Sequence, residues 1–158
     1  MRLRETNEDD LDDLVEIWND GRVMRWVCFP DGLGITREGA ADWLAAIRRD
    51  AHRHHYVVIA GGIGFCGEAY YRTDVVHGRA ELDIKLRPEA QGRGVGTAAL
   101  SALIDLVFDR EPEIDAVWTE PWPENEKAQA LYTRCGLEPR PRPADLPSGP
   151  SYWERRRS

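Results

Sequence analysis

Residues 82–97 read LDIKLRPEAQGRGVGT, and the fold is decided by what this stretch does. The run AELDIKL, residues 80–86, has strand character and is stopped by Pro88. Gly92, Gly94 and Gly96 follow, which frees the backbone for conformations a side chain forbids and lets a ligand approach the amides closely. Those amides open a helical stretch, TAALSALIDLVF, whose apolar residues are spaced for a buried face. Unpaired N–H groups and the positive end of the helix dipole make such a start attractive to a phosphate or pyrophosphate, and Arg93 adds a charge. A glycine-rich turn can also be no more than a tight strand-to-helix connection. A P-loop is excluded because no Gly-Lys-Ser/Thr follows, and a dinucleotide fingerprint fits poorly in mid-chain.

Outward from this segment, Leu3 starts a short strand, and Thr6 or Asn7 is placed to cap a helix carrying Leu11, Leu14, Val15 and Trp18 and ending near Gly21. A second helix runs from Thr36 to about Asp50 with Trp43, Leu44 and Ile47 inward, after a loop over Cys28 to Gly34. HYVVIA, the Gly61-Gly62 turn and IGFCGEAYYR read as a hairpin, with AELDIKL as its third strand. IDAVWTE is a further strand, and NEKAQALYTRCG a helix closed by Gly136. Glu138 to Pro150 is proline-rich, and SYWERRR is a last strand or tail whose arginines are expected in solvent. The order of helices, an antiparallel run and then β-α-β-α implies an α+β fold, a mixed sheet with helices packed on it.

At 158 residues a single domain is expected. Asp and Glu number 28 against 21 Lys and Arg, a net charge of −7, which disfavours nucleic acid and anionic membranes and favours a cationic small molecule or basic peptide. Cys28, Cys66 and Cys135 are far apart and odd in number, which fits reduced thiols in a cytoplasmic protein better than a disulfide framework or zinc site. No apolar run is long enough for a secretory leader or a membrane span. His52, His54 and His55 have no acidic or cysteine partner at ligand spacing, so no metal is expected.

The run QGRGVG at 91–96, preceded by a strand and Pro88, resembles the acyl-CoA signature of the GNAT N-acetyltransferases, and NEKAQALYTRCGL at 125–137 resembles that family's second element. Together they cover about Ile63 to Glu138. The resemblance implies the GNAT fold, a mostly antiparallel central sheet with helices on both faces, and acetyl-CoA as co-substrate. It implies that the backbone of Ile84 and Leu86 pairs with the pantetheine arm. It places the amides of Gln91, Gly92, Arg93, Gly94, Val95, Gly96 and Thr97 around the pyrophosphate, and the thioester in the gap where the strand ending at Leu86 splays away from AVWTE. Leu137 stands where the family often has an aromatic residue.

By the same resemblance Tyr132 is the acid at the departing sulfur, and Asn125 orients coenzyme A or simply caps its helix. A base must take a proton from an ammonium. Asp83 and Glu81 alternate on one strand face and are the first candidates, with Glu68 on the neighbouring strand also directed at the acceptor cleft, although a solvated face explains each singly. Trp118, Trp122, Tyr70 and Tyr71 are candidates to line that cleft. Two subfamily likenesses remain open. RLRETNEDDLDDLVEIWNDGRVMRW with the 103–132 region is similar to aminoglycoside 6′-N-acetyltransferases, whereas VMRW, WLAAI and HGRAELDIKLRPEAQGRG are similar to enzymes acetylating polyamines or ribosomal-protein N-termini. A cationic small-molecule amine is the expected acceptor; a protein amine, or a non-catalytic acyl-CoA-binding module, is the alternative. An edge strand or the C-terminal segment leaves room for a homodimer.

Overall fold

The computed structural model describes residues 1–158. Seven strands form one sheet in the order β1-β2-β3-β4-β5-β7-β6: β1 Arg2–Glu5, β2 Arg53–Ala60, β3 Gly64–Asp74, β4 Arg79–Leu86, β5 Ala116–Thr119, β6 Glu138–Pro139 and β7 Trp153–Arg156. Every pairing is antiparallel except β4 with β5, which is parallel. The parallel pair requires a crossover, and α4 (Val95–Arg110) supplies it. The remaining helices are α1 (Leu11–Trp18), α2 (Gly21–Met24), α3 (Arg37–Arg48) and α5 (Glu126–Arg134).

Alternation along β2, β3 and β4 gives the sheet two unlike faces. Tyr56, Val58, Ala69, Tyr71, Ala80 and Leu82 join Ala99, Leu100, Leu103, Ile104 and Val107 of α4 in one buried cluster. On the other face α1 and α3 pack through Leu11, Leu14, Ile17, Trp18, Ala40 and Leu44. Each fully buried Leu or Ile contributes about 1.5–3 kcal/mol by leaving water, so the α4 layer dominates the stability. Gly67 lets β3 and β4 come together near the end of β4: a Cβ there meets the Lys85 carbonyl oxygen at 2.0 Å.

Three expectations change. The first helix stops at Trp18, and Gly21 opens α2, capped by the Asp20 carboxylate accepting from the Arg22 N–H at 2.9 Å. The proline-rich stretch contains the two-residue strand β6, which pairs with β7. The C-terminal arginines are not all in solvent: Arg157 donates to the carbonyls of Phe108, Glu111 and Ile114, and Arg155 to that of Cys135, so both tie the C-terminal strand to the ends of α4 and α5.

Candidate active site

β4 and β5 are hydrogen-bonded only at Arg79↔Ala116, Ala80↔Val117 and Glu81↔Trp118. Beyond Glu81, β4 keeps β3 as far as Leu86↔Gly67, while its other edge is unpaired. The strands part there into a cleft of about 990 Å³, lined by β4 from Glu81 to Leu86, by the Gln91–Thr97 turn, by residues 22–28, and by residues 119–134 of the β5–α5 region. Ile84 and Leu86 thus present a free main-chain edge to whatever lies in the cleft. The Leu86 carbonyl already accepts one hydrogen bond, from Gln91 Nε2 at 3.1 Å, which ties the turn to the strand end.

Gly92 and Gly94 have φ of 73° and 77°, in the left-handed region that side chains rarely adopt. A Cβ at either meets nothing within 4 Å, so backbone conformation rather than crowding demands glycine, and the space above the turn is open. No side chain caps the N-terminus of α4; its first N–H groups are directed toward that space, which is the arrangement a diphosphate requires. Gln91, Gly92, Gly94, Gly96 and Thr97 line the cleft. The Val95 side chain instead enters the core, and that of Arg93 is exposed. A cation missing from the sequence reading lies nearby: Arg134 of α5 donates to the Thr97 hydroxyl at 3.2 Å and lines the same cleft.

Glu81 and Asp83 both line the cleft, but their settings differ. Burial raises the Glu81 carboxyl above its ordinary range; Arg72 at 3.1 Å opposes that, and the neighbouring Glu120 and Asp83 charges reinforce it. Asp83 Oδ2 accepts from the Lys85 ammonium. Glu68 does not face the acceptor side. It is 2 % exposed and lies behind Lys85, at 3.4 Å from its Nζ, where it also accepts from Trp18 Nε1 at 3.0 Å and contacts His55 Nε2 at 2.6 Å. His55 Nδ1 is 2.7 Å from the Thr6 hydroxyl. Burial alone pushes the Glu68 carboxyl up, but Lys85, His55 and Trp18 outweigh it and hold it down at about 2.

Tyr132 is buried on the inner side of α5. Desolvation, reinforced by the Asp83 charge, pushes its phenol up to about 12 against the opposing effect of Thr119, so it stays protonated. Asn125 caps α5, its Oδ1 accepting from the Ala128 N–H at 3.2 Å, and it also lines the cleft. Tyr70 and Trp122 line the cleft as expected. Trp118 and Tyr71 do not: Trp118 is buried against Tyr152, with ring centroids 5.4 Å apart, and Tyr71 faces the α4 side and donates to Glu111. Strand alternation accounts for Tyr71, since adjacent residues on a strand cannot share a face. The sequence reading also missed the contribution of Arg22, Arg25, Trp26 and Cys28, because only tertiary packing brings α2 and the following turn over the cleft.

The acetyltransferase (GNAT) domain model matches residues 1–138. An aminoglycoside N(6′)-acetyltransferase type 1 of Klebsiella pneumoniae is 25% identical, over 97% of this chain and 81% of that protein. A kanamycin resistance protein of Rhizobium radiobacter is 36% identical over a shorter stretch, 39% of this chain and 56% of that one. Among solved structures, a Vibrio cholerae spermidine N-acetyltransferase in complex with CoA and spermine shares the fold, with a TM-score of 0.81 at 19% identity, over 97% of this chain and 92% of that one. An aminoglycoside acetyltransferase in complex with coenzyme A and kanamycin superposes with a TM-score of 0.77 at 25% identity, covering 98% and 94%. With the splayed strands, the glycine turn and the uncapped helix start all in place beneath that match, the chain belongs to the GNAT family and is an acetyl-CoA-dependent N-acetyltransferase.

Proposed function

We propose that this enzyme, working as one domain, acetylates a primary amine of a polycationic small molecule of the aminoglycoside or polyamine type, by direct attack of the amine on the thioester. The observation that carries this reading is the cleft formed where β4 leaves β5, with the glycine turn at one end and Glu81, Asp83, Glu120 and Glu124 on its walls. Carboxylates facing a cleft of this volume attract and orient ammonium groups. The names of the relatives support the same acceptor class.

The reaction converts an ammonium and a thioester into an amide and a thiol, and it releases one proton to solvent. The ammonium must first lose a proton, since only the neutral amine has a lone pair to form the C–N bond. Glu81, whose carboxyl is raised, is the better placed acceptor of that proton, directly or through water; Asp83 orients the amine. The main-chain amides of Gln91 to Thr97 and Arg134 hold the diphosphate, and the free edge at Ile84 and Leu86 aligns the arm. Collapse of the tetrahedral adduct breaks the C–S bond, and Tyr132 donates a hydrogen bond to the departing sulfur. A phenol held at about 12 does not surrender its proton for long to a thiolate whose thiol titrates near ~8.5. Tyr132 therefore stabilises the developing charge, and solvent completes the protonation.

Release of coenzyme A, measured over a panel of aminoglycosides, polyamines and basic N-terminal peptides, tests the acceptor. Turnover on the first two classes is expected; turnover on peptides alone redirects the acceptor to a protein, and binding of acetyl-CoA without turnover on any amine overturns catalysis. Tyr132→Phe is expected to lower kcat about 100-fold, the usual scale for one lost donor at a developing anion, with acetyl-CoA affinity nearly unchanged. An unchanged kcat removes Tyr132 from the chemistry.

A further inference from the structure

Across β2, β3 and β4, on the sheet face opposite α4, runs a line of polar groups that packing alone does not require. Thr6, His55, Glu68, Lys85 and Asp83 follow one another at 2.7 Å (Thr6 to His55), 2.6 Å (His55 to Glu68) and 3.4 Å (Glu68 to Lys85), ending in the Lys85–Asp83 contact. The interior members are removed from water: the side chains of His55 and Glu68 are 4% and 3% exposed, and that of Lys85 12%. Lys85 and Asp83 both line the cleft, and Asp83, at 23%, is the more open of the two.

A buried ion pair is a poor device for stability, because desolvating two charges offsets most of their attraction. Its strength is that it fixes position, since each partner is held from more than one side. Lys85 is held in this way by Glu68 behind it and by the ring of Tyr70, 5.6 Å from its Nζ. Its ammonium then binds Oδ2 of Asp83 and leaves Oδ1 for an incoming group. Burial would lower the affinity of Lys85 for its proton, but Asp83 and Glu68 raise it beyond the ordinary lysine value, so the ammonium keeps its charge.

We infer that Lys85, braced by buried Glu68, is a positioning residue that sets the orientation of Asp83 at the acceptor cleft. Asp83 thereby becomes a fixed anchor for the acceptor's ammonium, and proton removal falls to Glu81, which has no such buried partner. The inference rests on the acceptor cleft proposed above. The charged and titratable groups that bear on Asp83 are Glu81 and Lys85 from its own strand, Glu68 and Tyr70 from β3, His55 from β2 behind Glu68, Tyr132 from α5 and Glu120 from the chain after β5.

Two measurements test it. The first is the orientation of the Asp83 carboxylate, read from crystal structures of the parent enzyme, of Lys85→Met, and of Glu68→Gln/Lys85→Met, which removes both buried charges and remains the usable variant if the single change unfolds. Loss of the ammonium that holds Oδ2 should release the carboxylate from its present orientation, and an unmoved carboxylate overturns the inference. The second is a double-mutant cycle in kcat/KM for the amine. Lys85→Met should cost about 10- to 100-fold in the parent but less than about twofold in an Asp83→Asn background, whereas equal losses in both mean that Lys85 acts on the site independently and overturn the inference. If the parent acetylates no amine, the acceptor proposal fails, yet the orientation of Asp83 in the variants still decides the role of Lys85.

Discussion

The two faces of β3 and β4 are built from alternate residues of the same strands, and they do different work. Toward α4, Ala69, Tyr71, Ala80 and Leu82 meet Leu100, Leu103 and Ile104 in an apolar layer. Toward α1 and α3, Glu68, Tyr70, Asp83 and Lys85 form a polar line that ends in the cleft. The first face stabilises the molecule by excluding water. The second costs stability through desolvation and returns it only while every partner is present, which suits it to holding chemistry in place.

The sharpest way to break this contrast is to remove one charge from the polar face. Lys85→Met is expected to lower stability by about 3–5 kcal/mol, the scale for an uncompensated buried charge. Glu68→Gln/Lys85→Met should recover much of that, because no buried charge is then left unpaired and Gln still accepts from Trp18. Urea unfolding of both proteins checks it, and a double variant as unstable as the single one contradicts the account.

On the apolar face Leu103→Ala should cost about 3 kcal/mol by transfer and cavity terms together. The folded fraction should retain its kcat, since Leu103 lies in the core and does not line the cleft. Acid sharpens the comparison in a different way. The folded-state pKa of Glu68, about 2, lies below the 4.5 of an unpaired glutamate. The stability it contributes is therefore complete above about pH 4.5 and is lost as the pH falls toward about 2. Thermal melts across that window should show a shallower acid limb in Glu68→Gln/Lys85→Met than in the parent. The smallest effect is expected at the cap: Asn125→Ala should cost about 1 kcal/mol, with any additional rise in KM for acetyl-CoA measuring what Asn125 contributes at the cleft.

Much of this molecule was legible in the sequence because its signals are local. A strand halted by Pro88, glycines free to adopt positive φ, and an apolar helix after them specify a strand, a tight glycine turn and a helix from neighbouring residues alone. Asn125 as a cap and Tyr132 on the inner side of α5 followed from the same local rules. Placements that depended on partners distant in the chain were less accessible. Glu68 has the strand alternation of a cleft residue, yet Trp18 and His55 close over it; Trp118 has the character of a pocket aromatic, yet Tyr152 covers it.

The sequence by itself determined most of the order of elements, the glycine turn before α4 and the residue types available to the site, because backbone conformation and side-chain periodicity are set within a few residues. Only the tertiary structure decided which carboxylate meets an exposed arginine, which is held by Lys85 and which is buried, and that Lys85 and Arg134 line the cleft. The physical reason is that the energy of a charge depends on the solvent and counter-charges around it, and these come from segments tens of residues away along the chain.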